Sequence, residues 1–120
     1  MKRIYFDIAA TTPIDLDVAE LMHGISLKAY GNPSSIHKHG QEARAIVERA
    51  RLQVSKALGC DVSEIIFTGS GTESNNTALL GILKLGDHLI CSGYEHPAVS
   101  EIAKKMEQNG IDTSYVQPGR

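Results

Sequence analysis

Residues 67–76, Phe-Thr-Gly-Ser-Gly-Thr-Glu-Ser-Asn-Asn, have the types and spacing to hold an anion. An apolar stretch, Glu64-Ile65-Ile66-Phe67-Thr68, runs into a Gly-Ser-Gly turn, and a helix-compatible run follows from Thr72. Glycines let a backbone turn tightly without a Cβ clash. The first N–H groups of a helix have no partner within it, and the helix dipole adds partial positive charge beside them. A phosphate at such a place gains charge-assisted hydrogen bonds worth about 1.5–3 kcal/mol each. The same pattern also describes an ordinary strand-to-helix turn that binds nothing. It is not a P-loop, because no Gly-Lys-Ser/Thr follows, and its glycine spacing is not that of a dinucleotide fingerprint. A second residue with useful chemistry is His96, in Glu95-His96-Pro97-Ala98-Val99. An imidazole offers a flat ring face and general acid–base chemistry. Beside Pro97 it also reads as an exposed helix cap with no chemical duty.

The elements that must position these residues are legible from periodicity. Residues 4–14 read as an extended arm, and Asp15 caps a helix whose Val18, Leu21, Met22 and Ile25 share one face. Gly31-Asn32-Pro33-Ser34-Ser35 is a turn. A long amphipathic helix follows, with Ala43, Ile46, Val47, Ala50, Val54, Ala57 and Leu58 on one face and Gly59 at its end. Next come a strand at 64–68 and a helix from about Thr72 to Leu83. That helix is apolar nearly all round from Ala78 and is therefore expected to be buried. A buried strand is expected at His88–Ser92 and a helix opening at Pro97, with Val99, Ile102, Ala103 and Met106 inward and Gly110 as its stop. A short strand at Asp112–Val116 closes the series. The alternation of strand and helix from residue 64 predicts an α/β sheet with helices packed on it. Three strands with open edges make a poor finished sheet, so the chain reads as the opening of a larger domain.

Composition narrows the function. The 120 residues suffice for one ordinary domain. Twelve basic and fourteen acidic side chains give a net charge of −2, with no clustered positive surface for nucleic acid. No apolar run is long enough for a membrane span, and the amino terminus lacks the apolar core of a signal peptide. Two isolated cysteines, Cys60 and Cys91, argue against a disulfide framework and for a reducing, cytoplasmic setting. His37 and His39 form an H-x-H pair, too little to specify a metal site.

Four segments now line up in order: Tyr5-Phe6-Asp7-Ile8-Ala9-Ala10-Thr11-Thr12-Pro13, Gly31-Asn32-Pro33-Ser34-Ser35-Ile36-His37, the glycine turn through Asn76, and Glu95-His96-Pro97-Ala98-Val99. Together they resemble the amino-terminal third of the cysteine desulfurases, in the class V aminotransferase group of pyridoxal-phosphate enzymes. The resemblance implies the opening part of a fold-type I, three-layer α/β/α transferase. Residues 1–15 would be an arm contributing to the small domain, and 16–120 the start of the large cofactor-binding domain. It implies pyridoxal 5'-phosphate as cofactor, with Gly71 and Thr72 holding the phosphate. His96 would lie over the pyridine ring and assist proton transfer. L-cysteine would be the substrate, L-alanine the product, and the complete enzyme a homodimer. Sulfur would pass to an enzyme cysteine and on to an iron–sulfur scaffold or other acceptor, or into tRNA thiolation. Related activities in the same group are a selenocysteine lyase and a class V aminotransferase.

Ser35-Ile36-His37-Lys38 imitates the sequence in which these enzymes keep their cofactor lysine. The preceding Gly-Asn-Pro-Ser-Ser belongs to an earlier family segment, and Gly40 leads straight into a helix, so Lys38 is expected on the solvated surface. By the resemblance, the cofactor lysine, the acid paired with the pyridine nitrogen and the sulfur-accepting cysteine all lie downstream of the matched region. Neither Cys60 nor Cys91 matches that cysteine. A carboxy-terminal half or second subunit would have to bring all three, and the isolated chain would be inactive. The rival reading is a non-catalytic remnant or interaction module. Two departures stand out: Ile8 replaces a residue that is usually asparagine or aromatic in the family, and the stretch from Leu80 to His88 looks a few residues short.

Overall fold

A computed structural model describes residues 3–119. Met1, Lys2 and Arg120, which belong to the expected arm and the final loop, lie outside the described residues. The chain forms two compact units, residues 1–65 and 66–120.

The first unit carries two helices and a short 3-10 turn. After a turn at 8–10, Asp15 caps α1 (Leu16–Lys28) by accepting from the N–H groups of Asp17 and Val18. The expected apolar face of α1 exists but is not covered: none of its residues is buried, and Leu21 and Met22 are exposed. Helix α2 (Lys38–Leu58) begins at His37, whose Nδ1 accepts from the Gly40 N–H at 3.3 Å. Within α2 Ala43 is buried, whereas Leu58, assigned to the same face, is exposed. Gly59 ends it with φ 70°, the left-handed conformation that favours glycine. Lys38 is exposed and sits 3.9 Å from the Glu42 carboxylate, as expected of a solvated side chain.

The turn at 31–35 is pressed against the start of α2. A Cβ on Gly31 would run into the carbonyl of His39, and one on Gly40 into the carbonyls of Ser35 and Asn32. Both glycines are there for close backbone approach. Asn32 adds a local bond, accepting from the Ser34 N–H at 2.9 Å.

The strand expected at 64–68 is not formed. Asp61 and Glu64 make a reciprocal capping box that draws Val62–Glu64 into the 3-10 turn. Ile65 is extended, at φ −94° and ψ 121°, and its carbonyl accepts from the Arg51 guanidinium. Extended backbone becomes a strand only when a neighbour completes the ladder, and 65–68 joins none among the described residues.

The second unit is a β-α-β layer with one more helix. Helix α3 (Gly71–Ile82) precedes β1 (His88–Ser92), α4 (Pro97–Gln108) and β2 (Asp112–Val116). The strands run parallel, with His88 opposite Asp112 and Ser92 opposite Val116. Parallel strands need a crossover, and α4 supplies it. The core lies between sheet and helices: Ile102, Met106 and Ile111 are buried, and Leu79, Leu83 and Leu89 pack against them. Burying a side chain of this kind contributes about 1.5–3 kcal/mol. Asn109 and Gly110 stop α4, and Gly110 adopts φ 87°.

Two expectations about burial are corrected. Helix α3 has no buried residue, and Ile82 is 72% exposed. Strand β1 alternates between exposed and half-buried side chains, with Ile90 exposed. One face of each element meets the core of this unit, and the other carries exposed side chains such as Ile82 and Ile90. The short connection before β1 closes as one tight turn. Asp87 donates its N–H to the Lys84 carbonyl at 3.0 Å and accepts the Lys84 N–H on its carboxylate at 2.8 Å, with Gly86 at φ 95°.

Candidate anion and coenzyme site

Ser70 is the N-cap of α3, its hydroxyl accepting from the Glu73 N–H at 3.2 Å. Glu73 reaches back and accepts the Gly69 N–H on its carboxylate at 2.7 Å. The turn is thus clamped from both sides. Thr68 and Ser74 add a hydroxyl pair at 2.6 Å, and the Ser74 N–H bonds the Ser70 carbonyl at 3.0 Å. Ser70 and Glu73 belong to the 67–76 segment, but their clamping roles are not read from residue type. Their Ser-x-x-Glu spacing is the signal that could have found them.

Gly71 and Thr72 are the first two residues of α3, both exposed. Their N–H groups have no acceptor among the described residues, and neither does the Thr72 hydroxyl. A Cβ built on Gly71 would stand in open space. Gly71 also lacks the positive φ that would demand glycine. Packing and backbone strain therefore do not explain this glycine. Two unengaged amide donors, one hydroxyl and the helix dipole at the start of α3 are groups that suit a phosphate.

His96 is the N-cap of α4. Its Nδ1 accepts the Ala98 N–H at 3.0 Å, and Pro97 takes the first helical position. The plain cap reading is therefore correct as far as it goes, and the ring is exposed. The structure brings the starts of the two helices together. Asn75 donates its side-chain amide to the Ala98 carbonyl at 3.5 Å. Thr72 and Asn76 of α3 line one depression of about 240 Å³ with Pro97, Ala98, Glu101 and Lys105 of α4. Both helix starts lie where the strands end, since α4 begins just beyond Ser92 and Gly93 donates its N–H to the Val116 carbonyl at 2.8 Å. Open α/β sheets present their ligand sites at that edge.

Both cysteines, Cys60 and Cys91, are half-buried and unpaired with each other. Cys91 lies half-buried in β1, and burial, with the Glu95 carboxylate second, pushes its thiol up, away from the reactive thiolate. No group of three or more metal-ligating side chains occurs among the described residues, and no described helix is long and apolar enough to cross a membrane.

The family model for aminotransferase class-V matches residues 4–119. Cysteine desulfurase IscS of Dictyoglomus turgidum is 44% identical over 125 aligned positions, covering 100% of this chain and 32% of the relative. Among solved structures, a NifS-like protein superposes with a TM-score of 0.85 at 40% identity, covering 96% of this chain and 33% of that one. A structure of SspA in complex with cysteine gives 0.85 at 36% identity, covering 95% and 34%. The chain thus spans about a third of the length of the relatives it matches. Its parallel sheet and helices are a part of the fold-type I α/β architecture of those NifS-like structures. From a match that runs from the arm through β2, it follows that this chain belongs to the aminotransferase class-V family.

Proposed function

We propose that the chain is the amino-terminal third of a cysteine desulfurase and that the start of α3 cradles the phosphate of pyridoxal 5'-phosphate. The observation that carries this reading is the open space at Gly71, bordered by the unengaged N–H groups of Gly71 and Thr72 and by the Thr72 hydroxyl. His96, at the start of the neighbouring helix, would offer its ring face to the pyridine. When bound, the coenzyme supplies an electron sink for the α-carbon of an amino acid. The chain's own residues bind the phosphate, fix its position against α4 and offer an imidazole there.

The rest of the enzyme supplies the lysine, the aspartate and the sulfur-accepting cysteine, on a carboxy-terminal portion or on a second polypeptide. The assembled homodimer would convert L-cysteine to L-alanine in the cytoplasm. It would hand the sulfur to an iron–sulfur scaffold or to another acceptor, such as one for tRNA thiolation. Residues 1–15 would serve as an arm towards the small domain. A second reading, an interaction module without chemistry, draws on the exposure of Ile82, Leu85, Ile90 and Val116.

Titration of the labelled chain with inorganic phosphate, and separately with pyridoxal 5'-phosphate, tests the cradle. The Gly71 and Thr72 amide resonances should move together and saturate, and Thr72→Ala should weaken the response. Uniform or absent shifts remove the cradle. Mixing with a carboxy-terminal partner should then give a coenzyme absorption band and alanine release. Failure of every such partner, with the cradle intact, favours the interaction module.

A further inference from the structure

The peptide that joins Ser70 to Gly71 is gripped at one end and open at the other. Its carbonyl accepts the Ser74 N–H at 3.0 Å. Two hydroxyls reach the same oxygen, Thr68 Oγ1 at 3.1 Å and Ser74 Oγ at 3.2 Å, and they lie 2.6 Å from each other. The short pair uses one hydroxyl proton, donated by either partner. The hydroxyl that accepts it still has its own proton to give to the Ser70 carbonyl. Whichever way the pair is oriented, one proton reaches that oxygen. Each hydroxyl also reaches the carbonyl alone, so each stands in for the other. The Ser70 cap and the Ser74 N–H already start α3, so the hydroxyl pair is additional to what a helix start requires. The peptide is trans, so its C=O and N–H point in opposite directions. The N–H at its open end is that of Gly71. Holding the carbonyl towards Ser74 therefore holds the Gly71 N–H away from it.

We propose that Thr68 and Ser74 are positioning residues of the phosphate cradle. Their hydroxyl pair keeps the Ser70–Gly71 peptide in its donating orientation before any anion arrives, so binding does not have to order it. The donors on either side are consumed by the turn itself: the Gly69 N–H goes to the Glu73 carboxylate at 2.7 Å and the Glu73 N–H to the Ser70 hydroxyl at 3.2 Å. The inference rests on the function proposed above. A merely structural hydroxyl pair would strengthen the fold and leave phosphate affinity where it is.

Amide relaxation and phosphate titration of the labelled chain test this on Thr68→Val, Ser74→Ala and the double variant. Without phosphate, the Gly71 amide should lose order in the double variant and keep it in either single one. With inorganic phosphate, the double variant should need roughly threefold more to half-saturate and each single variant less than about 1.5-fold more, as one shared hydrogen bond implies. Thr68→Ser combined with Ser74→Ala restores one hydroxyl and should return both readings to the single-variant level. Thr68→Ala combined with Ser74→Ala should repeat the double loss without valine in the turn. A double variant that keeps Gly71 ordered, or that half-saturates where a saturating unsubstituted chain does, overturns the positioning role and leaves the cradle standing. Single effects that add up to the double effect overturn it too, because they deny the shared bond. An unsubstituted chain that never saturates removes the cradle itself, and the positioning role with it.

Discussion

Two glycine-bearing corners lead into helices in this chain, and they are built for opposite ends. At the start of α2, Gly31 and Gly40 lie where any Cβ would strike the carbonyls of His39, Ser35 or Asn32. Space is the reason for those glycines, and the backbone has already used it. At the start of α3, Gly71 has the same residue type with nothing around its missing side chain. Each corner is capped by a side chain, His37 in one and Ser70 in the other. The difference therefore lies in what surrounds the glycine and not in how the helix begins. A filled corner is architecture; an empty one over unengaged donors leaves the room that the cradle proposed above would use. The Ser35-Ile36-His37-Lys38 sequence falls in the filled corner, in keeping with the exposed position of Lys38.

The comparison can be broken by substitution. Gly40→Ala should cost about 1–3 kcal/mol through overpacking, seen as a lower denaturation midpoint at unchanged slope. A neutral result would mean that the turn at 31–35 is not pressed against α2. His37→Ala and Ser70→Ala should each remove about 1 kcal/mol as lost caps, by the same measurement. If only one of them does so, the two helix starts are not equivalent and the contrast needs another basis. Gly71→Ala should leave stability level or raise it by up to about 1 kcal/mol, while reducing the phosphate response of the Thr72 amide. A stability loss as large as that of Gly40→Ala would place Gly71 with the architectural glycines. Lys38→Ala should change stability by less than about 0.5 kcal/mol.

A pH dependence belongs to the first unit. Hydrogen bonds from the Ser63 hydroxyl and the Ser63 N–H hold the Asp61 carboxyl below its usual value. A lowered folded value means that its stabilisation is present above the ordinary carboxylate range. It is lost as pH falls through the lowered value. Asp61→Asn should flatten that part of the acid limb of the stability curve, and an unchanged limb would remove Asp61 from it.

Local signals made much of this legible. Asp15, Pro97, Gly59 and Gly110 mark helix boundaries through their own conformational preferences, and the strands at 88–92 and 112–116 appear as read. What failed depends on neighbours. Ile65–Thr68 has the composition of a strand, but a strand is a relation between two segments and no second one is in place. Helix α3 has the side chains of a buried helix, yet burial needs a second layer. In the site, the Gly-Ser-Gly turn and His96 could be picked out by residue type. That Glu73 locks the turn, and that Nδ1 of His96 is already engaged, are matters of atomic geometry.

The pair β1–β2 carries a further consequence. Among the described residues each strand has a neighbour on one side only, so each offers a bare row of amides and carbonyls along the opposite rim. Two such rims on one small sheet can seed stacking from either direction. In a concentrated solution, identical molecules would compete with any genuine complement for the same hydrogen bonds. Which arrives first then becomes a question of timing, and production of the chain together with the carboxy-terminal portion proposed above should yield more soluble material than mixing the two after purification.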